Sequence, residues 1–292
     1  MRADLPTTTV AGVVGRLALL DVPAAGPTVH APVLLVPGYT GSKEDFGPLL
    51  PLIAAGGHRA VALDQRGQFE SDGPPDPTAY APARLAADLV AVRGALGLSP
   101  AHLVGHSFGG LVARAAVLAD AVLADAVGWL SVTLLDSGPA ALPGSRRSTT
   151  ELLAGAARTV PLEQLWDGVR AFWAAQGHPQ ADDAATAFQR ERFVGSQPSA
   201  LVGMGEALLA EPDRVDELRE AAAAGGVRLA VVFGEHDDAW PPAAQRDMAA
   251  RLGVPAVAVP GAVHSPAVEA PEATATTLLS FFAEVEAARV IA

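Results

Sequence analysis

The segment Gly105-His106-Ser107-Phe108-Gly109, with Gly110 directly after it, is the part of this chain best suited to chemistry. It follows an apolar run, His102 to Gly105, that reads as a strand, and it precedes a run of helical periodicity, Gly109 to Ala119. A serine on so sharp a strand-to-helix turn needs neighbours without side chains, because the backbone there is strained and passes close to adjacent strands. Gly105 and Gly109 leave that room. The helix beginning after Ser107 also aims its positive end at negative charge developing beside the hydroxyl. Taken alone, the motif is balanced by a plainer reading, a serine in a glycine turn.

A serine hydroxyl is a weak nucleophile until a base takes its proton, and that base needs an acid to orient it. His264 lies in Pro260-Gly261-Ala262-Val263-His264-Ser265-Pro266, between the last expected strand and the last expected helix. One histidine out of seven is ordinarily a polar loop residue; its position relative to the serine turn makes it the candidate base. Upstream, Gly234-Glu235-His236-Asp237-Asp238-Ala239-Trp240-Pro241 begins where another expected strand ends and offers three acids. Asp237 is preferred, with Asp238 and Glu235 competing. Asp136, after a further strand, is an alternative whose duller role is to cap the next turn. Two backbone amides complete the set as oxyanion donors: Phe108, after the serine, and Tyr39, in the glycine-rich turn Val36-Pro37-Gly38-Tyr39-Thr40-Gly41-Ser42. The chemistry of such a constellation is acyl transfer through a serine ester.

These residues need a scaffold that brings distant strand ends to one rim. Short Val- and Leu-rich runs, each closed by Gly, Pro or Asp, recur at Pro32 to Val36, Arg59 to Leu63, His102 to Gly105, Ser131 to Leu135, Val227 to Phe233 and Ala256 to Val259, with one or two leading strands around Val10 to Asp21. Helical segments fall between them, at Pro48 to Ala55, Ala83 to Leu96, Gly109 to Ala119, Ala243 to Leu252 and Pro271 to Ala288. The alternation predicts an α/β fold with a mostly parallel central sheet flanked by helices on both faces. From Gly138 to Gly226 helical periodicity continues without a convincing strand, over a length too great for a loop. We read a core domain from residues 1–137 and 227–292 and a helical cap, residues 138–226, inserted after the sixth strand. Its Trp166, Phe172 and Trp173, with Phe188 and Phe193, either line a substrate pocket or form a small core of their own.

Composition narrows the partners. With 32 acidic against 20 basic side chains the formal charge is -12, which repels a nucleic-acid backbone and leaves a small molecule as the expected partner. The absence of cysteine excludes disulfides, thiolate metal sites and a thiol nucleophile. No cofactor is expected, since no His and carboxylate set has ligand spacing along the chain and no glycine loop has the spacing of a phosphate cradle. The apolar stretch Val10 to Leu20 is broken by Arg16, and Ala113 to Leu135 carries Arg114, Asp120 and Asp125, so no membrane span or leader is expected and a cytoplasmic location is.

On these motifs the chain resembles the α/β-hydrolase superfamily, in the branch of short bacterial esterases, haloperoxidase-like proteins and meta-cleavage-product hydrolases. The resemblance covers nearly the whole chain. Besides the serine turn, Asp64-Gln65-Arg66-Gly67 with Ser71 and Asp72 is similar to the turn after the family's fourth strand, Gly234, Asp237 and Pro241 to its acid motif, and Gly261 with His264 to its histidine motif. Pro37-Gly38 stands where the family often has His-Gly, and Phe69 where it has a small glycine. The resemblance implies hydrolysis of a small-molecule carboxylic ester or lactone. Epoxide hydrolases and haloalkane dehalogenases of this fold use an aspartate at the serine's position, so Ser107 argues against both. Two alternatives stand. One is carbon–carbon bond hydrolysis or lyase chemistry by the same residues, with Arg146, Arg147, Arg170, Arg190 and Arg192 available to a substrate carboxylate or simply solvated on helix faces. The other is a ligand-binding protein without turnover.

Overall fold

A computed structural model describes residues 5–26, 30–120, 128–175 and 183–290. Its centre is an eight-stranded sheet: β1 Thr7–Ala11, β2 Arg16–Val22, β3 Val33–Val36, β4 Ala60–Leu63, β5 Ala101–His106, β6 Trp129–Leu135, β7 Arg228–Gly234 and β8 Ala256–Val259. The order across the sheet is β1-β2-β4-β3-β5-β6-β7-β8. β1 and β2 run antiparallel, and every pairing from β4 to β8 is parallel.

The continuous apolar composition of β3 and β4 follows from burial on both faces. Along β3 the side chains alternate: Leu34 and Val36 enter one core with α2 (Pro82–Ala95) and α3 (Phe108–Asp120), while Val33 and Leu35 enter the other with α1 (Leu50–Ala55). A proline near the start of α1 and α2 costs no hydrogen bond there and sets the first turn.

Among the described residues five helices run between β6 and β7: α4 Gly144–Ala156, α5 Leu162–Ala175, α6 Ala184–Gly195, α7 Pro198–Ala210 and α8 Val215–Gly225. α4 packs on α7 and α5 on α6, around Leu162, Trp166, Phe193, Leu201 and Val202. α8 differs from the other four, because Val215, Leu218 and Ala222 turn its apolar face onto α3 and α9 (Pro242–Leu252), in the main core. After β8 come a single turn, α10 (Pro266–Glu269), and α11 (Pro271–Val290). Among the described residues no helix is long and apolar enough to cross a membrane.

The chain leaves β3 toward one edge and returns to β5 on the other side, so the strand order reverses between these two neighbours. Loops leaving parallel strands on either side of such a reversal diverge and open a crevice at the strands' C-terminal ends.

Candidate active site

Ser107 follows β5 with a left-handed backbone, φ 54. A non-glycine residue held there is strained and persists only where its surroundings demand it. A Cβ on Gly105 would strike the Gly109 carbonyl, and one on Gly109 would strike the carbonyls of Val36 and Pro37. The turn is fastened by the Ser107 amide on Leu135 O at 2.9 Å and the Gly110 amide on Ser107 O at 2.9 Å.

The loop after β8 brings His264 over this turn. Its Nε2 accepts from Ser107 Oγ at 3.0 Å, and its Nδ1 donates to Asp237 Oδ1 at 2.8 Å. Asp237 is buried and takes two further donors, the Ala239 amide on Oδ1 at 2.8 Å and Gln245 Nε2 on Oδ2 at 2.6 Å. Burial alone pushes its carboxyl up, but the hydrogen bond and charge of His264, with the Ala239 amide, outweigh it and hold the group below the usual carboxylate range. Of the competing acids, Asp238 points to Arg146 at 2.8 Å, and Glu235 accepts the Gly261 amide at 3.1 Å. Asp136 follows β6, fully buried, with φ 46 and its Oδ1 accepting the Gly234 amide at 2.8 Å.

Two residues that sequence reasoning passed over support this relay. His106 donates from Nε2 to the His264 carbonyl at 2.6 Å; burial, reinforced by His264, pushes its imidazole down to about 4 and keeps it neutral. Gln245, in the first turn of α9, fixes the far oxygen of Asp237. His106 had a signal in its place beside the serine, whereas nothing in the sequence distinguishes Gln245 from a solvated helix residue.

Gly38 lies against the serine, since a Cβ there would stand 3.1 Å from Ser107 Cβ. The turn's carbonyls face away from the site: Pro37 O accepts Gln65 Nε2 at 2.9 Å, and Gly38 O accepts Gln68 Nε2 at 2.7 Å. The amides of Tyr39 and Phe108 enter none of the turn and loop hydrogen bonds of the described residues. Tyr39 ties this turn to α7 through its hydroxyl, which donates to Leu201 O at 2.5 Å.

A family model described as the alpha/beta hydrolase family matches residues 33–277. This chain belongs to that family. The chain is 27% identical to an epoxide hydrolase of Caballeronia sordidicola over 63% of its length. It spans less than two thirds of the curated relatives it matches, 57% of that one. Among solved structures it is similar to an esterase from Thermogutta terrifontis, with a TM-score of 0.74 at 21% identity over 96% of this chain and 99% of that one. An enol-lactonase from Burkholderia xenovorans LB400 gives 0.73 at 22%, over 94% and 100%. At such identities the likeness is one of fold.

Ser107 and His264 open onto a cavity of about 280 Å³ that also touches Gly38, Tyr39 and Leu142. Tyr39, Thr40, Arg146, Thr150 and Arg192 border both it and a second, more apolar cavity of about 440 Å³. Trp166 and Phe172 line the second with Leu153, Leu165 and Phe193. Trp166 does both things expected of the aromatics, lining the cavity and packing on Phe193 at 5.7 Å between ring centroids. The side chain of Trp173 lies outside the described residues. Arg146 and Arg192 at the shared rim are ion-paired, to Asp238 and Asp45, and Arg147 reaches Glu151 and the Leu209 carbonyl. A hollow of about 740 Å³ lies at the opposite ends of β7 and β8, larger but far from these groups.

Chain spacing suggested no metal-ligand set, yet folding brings His30, His58 and Glu286 together at the sheet's opposite end. There His30 Nδ1 lies 2.5 Å from Glu286, Glu286 accepts the Ala31 amide at 2.8 Å, and His58 Nδ1 donates to Ala31 O at 2.7 Å.

Proposed function

We propose that this hydrolase cleaves a small-molecule carboxylic ester or lactone through an acyl-enzyme on Ser107. The observation that carries the reading is the hydrogen-bonded relay Ser107 to His264 to Asp237, at 3.0 and 2.8 Å, set on a strained turn at the mouth of a cavity.

Ser107 Oγ adds to the substrate carbonyl while its proton passes to His264 Nε2. The imidazolium so formed is stabilised by the Asp237 anion, which keeps Nδ1 protonated and the ring in register. Negative charge on the former carbonyl oxygen is met by the amides of Phe108 and Tyr39 and by the positive end of α3. Collapse expels the alkoxide, which takes the proton from Nε2, and leaves the acyl group on Ser107. Water, deprotonated by the same nitrogen, then adds to this ester and releases the acid. The balance is ester plus water to acid plus alcohol, or lactone plus water to hydroxy acid.

The apolar lining of the 440 Å³ cavity suits a hydrocarbon portion of the substrate. The rim arginines favour this reading over a carboxylate-bearing carbon–carbon substrate, because Arg146 and Arg192 already face Asp238 and Asp45. Epoxide hydrolysis, named among the relatives, is disfavoured because the family resemblance implies an aspartate where this chain has Ser107.

A fluorophosphonate probe should label Ser107 in native protein and fail on Ser107→Ala, and a panel of aryl esters, lactones and diketones should give turnover only with the native chain. Folded native protein that takes no label and turns over no ester would remove the proposal.

A further inference from the structure

One polar atom beside the relay has no partner. Asp136 is fully buried, its backbone is held in the left-handed region, and Oδ1 accepts the Gly234 amide. Its Oδ2 receives no donor among the described residues. An orphaned buried oxygen is costly and calls for an explanation. Beside this carboxyl stand the Asp237 carboxylate, from the turn after β7, and the His264 imidazole, from the loop after β8; one polar atom from each of the three residues lies within 4.8 Å of the others. Glu269, on α10, adds negative charge.

Two carboxylates side by side in a buried site cannot both ionise at neutral pH, so they share one proton. The donors decide where it sits. Asp237 receives three, from Ala239, Gln245 and His264, and is stabilised as the anion. Asp136 receives one. The proton therefore belongs to Asp136, and an O–H at Oδ2 finds in Asp237 the acceptor the orphaned atom lacked.

We propose that Asp136 carries a proton on Oδ2, donates it to the Asp237 carboxylate, and so acts as a positioning residue that holds the Asp237 anion on His264 Nδ1. This rests on the relay being the working site. Burial, with the Asp237 charge second, pushes the Asp136 carboxyl up to about 9. Below that pH the bond is present. As pH rises through it the proton leaves, a second anion appears beside Asp237, and the bond is lost.

The test compares native protein with Asp136→Asn, whose amide still donates to Asp237 and whose carbonyl still accepts from Gly234, and with Asp136→Ala. Infrared difference spectra between about pH 7 and about pH 10 should show a protonated carboxyl band disappearing in the native chain and absent in Asp136→Asn. The ester pH profile should fall above about 9 in native protein and lose that limb in Asp136→Asn. Asp136→Ala should lower kcat roughly 10- to 100-fold, what one hydrogen bond to a charged group is worth, with Asp136→Asn recovering most of it. A native spectrum without the band, or an Asp136→Asn variant that keeps both band and alkaline limb, overturns the proposal. The infrared reading needs no turnover, so it stands apart from any failure of Ser107 to take a fluorophosphonate.

Discussion

His106 and His264 are joined by a single bond, from Nε2 of the first to the main-chain carbonyl of the second, at 2.6 Å. The residue before the serine thus sets the height of the loop that carries the imidazole. The donor does not depend on the charge of the ring, since the Nε2–H tautomer and the imidazolium both donate from this nitrogen. His106→Ala should lower kcat for an aryl ester roughly tenfold, the worth of one ordinary hydrogen bond, with KM little changed. Steady-state kinetics with kcat unaltered would show that the loop keeps its place without this bond.

Two acids of the turn after β7, Asp237 and Asp238, should separate cleanly in activity. Asp237→Asn keeps the shape but presents His264 with the wrong partner, and kcat should fall about ten-thousandfold. Asp238→Asn removes only an exposed pair with Arg146 and should change kcat little. Gln245→Leu leaves one Asp237 oxygen without its donor and should fall between them. A loss with Asp238→Asn as deep as with Asp237→Asn would reassign the acid.

Cavity shape makes its own prediction. Leu153 lines the 440 Å³ cavity and is only partly buried, so Leu153→Trp adds bulk there without opening the core. The kcat/KM for long acyl esters should drop roughly tenfold against acetyl esters, the scale on which hydrophobic pockets discriminate. Equal losses for both chain lengths would place the acyl group elsewhere.

Acid should destabilise the fold through a histidine outside the site. His102 is fully buried, with Nδ1 2.7 Å from Ser131 Oγ, and burial lowers its pKa from the ordinary 6.5 to about 4. Between these values the unfolded chain binds the proton and the folded chain does not, so stability rises with pH over that window. The contribution is complete above 6.5 and is lost as pH falls toward 4, about 3 kcal/mol in all for this group. Thermal melts should fall in this window, and His102→Gln should flatten the slope. An identical slope in the variant would assign the acid sensitivity to other groups.

Much of the scaffold was legible because burial on both faces writes strands as unbroken Val and Leu runs; β3, expected from Pro32 to Val36, forms over Val33–Val36. The serine turn could be read because its glycines are required by contacts with Val36 and Pro37, a local demand visible in five residues. The choice among Glu235, Asp237 and Asp238 was not legible to the same degree, since it depends on how one tight turn aims three adjacent carboxylates. The meeting of Asp136 with Asp237 was hidden for a different reason, because the two follow different strands far apart in the chain; Gln245 stands only eight residues from Asp237, but a polar side chain in the first turn of a helix carries no mark of what it bonds. The packing of α8 on α3 was likewise masked, because an apolar stripe tells that a helix is covered and not by what.

The nucleophile turn, the acid and the imidazole hang from β5, β7 and β8, whereas the greasy hollow is walled chiefly by α4, α5 and α6. On the proposed reading, bond-breaking power and taste in substrates are therefore written in separate stretches of the gene. Drift in one can widen or narrow the diet of the enzyme while the other stays under its own, stricter geometric discipline.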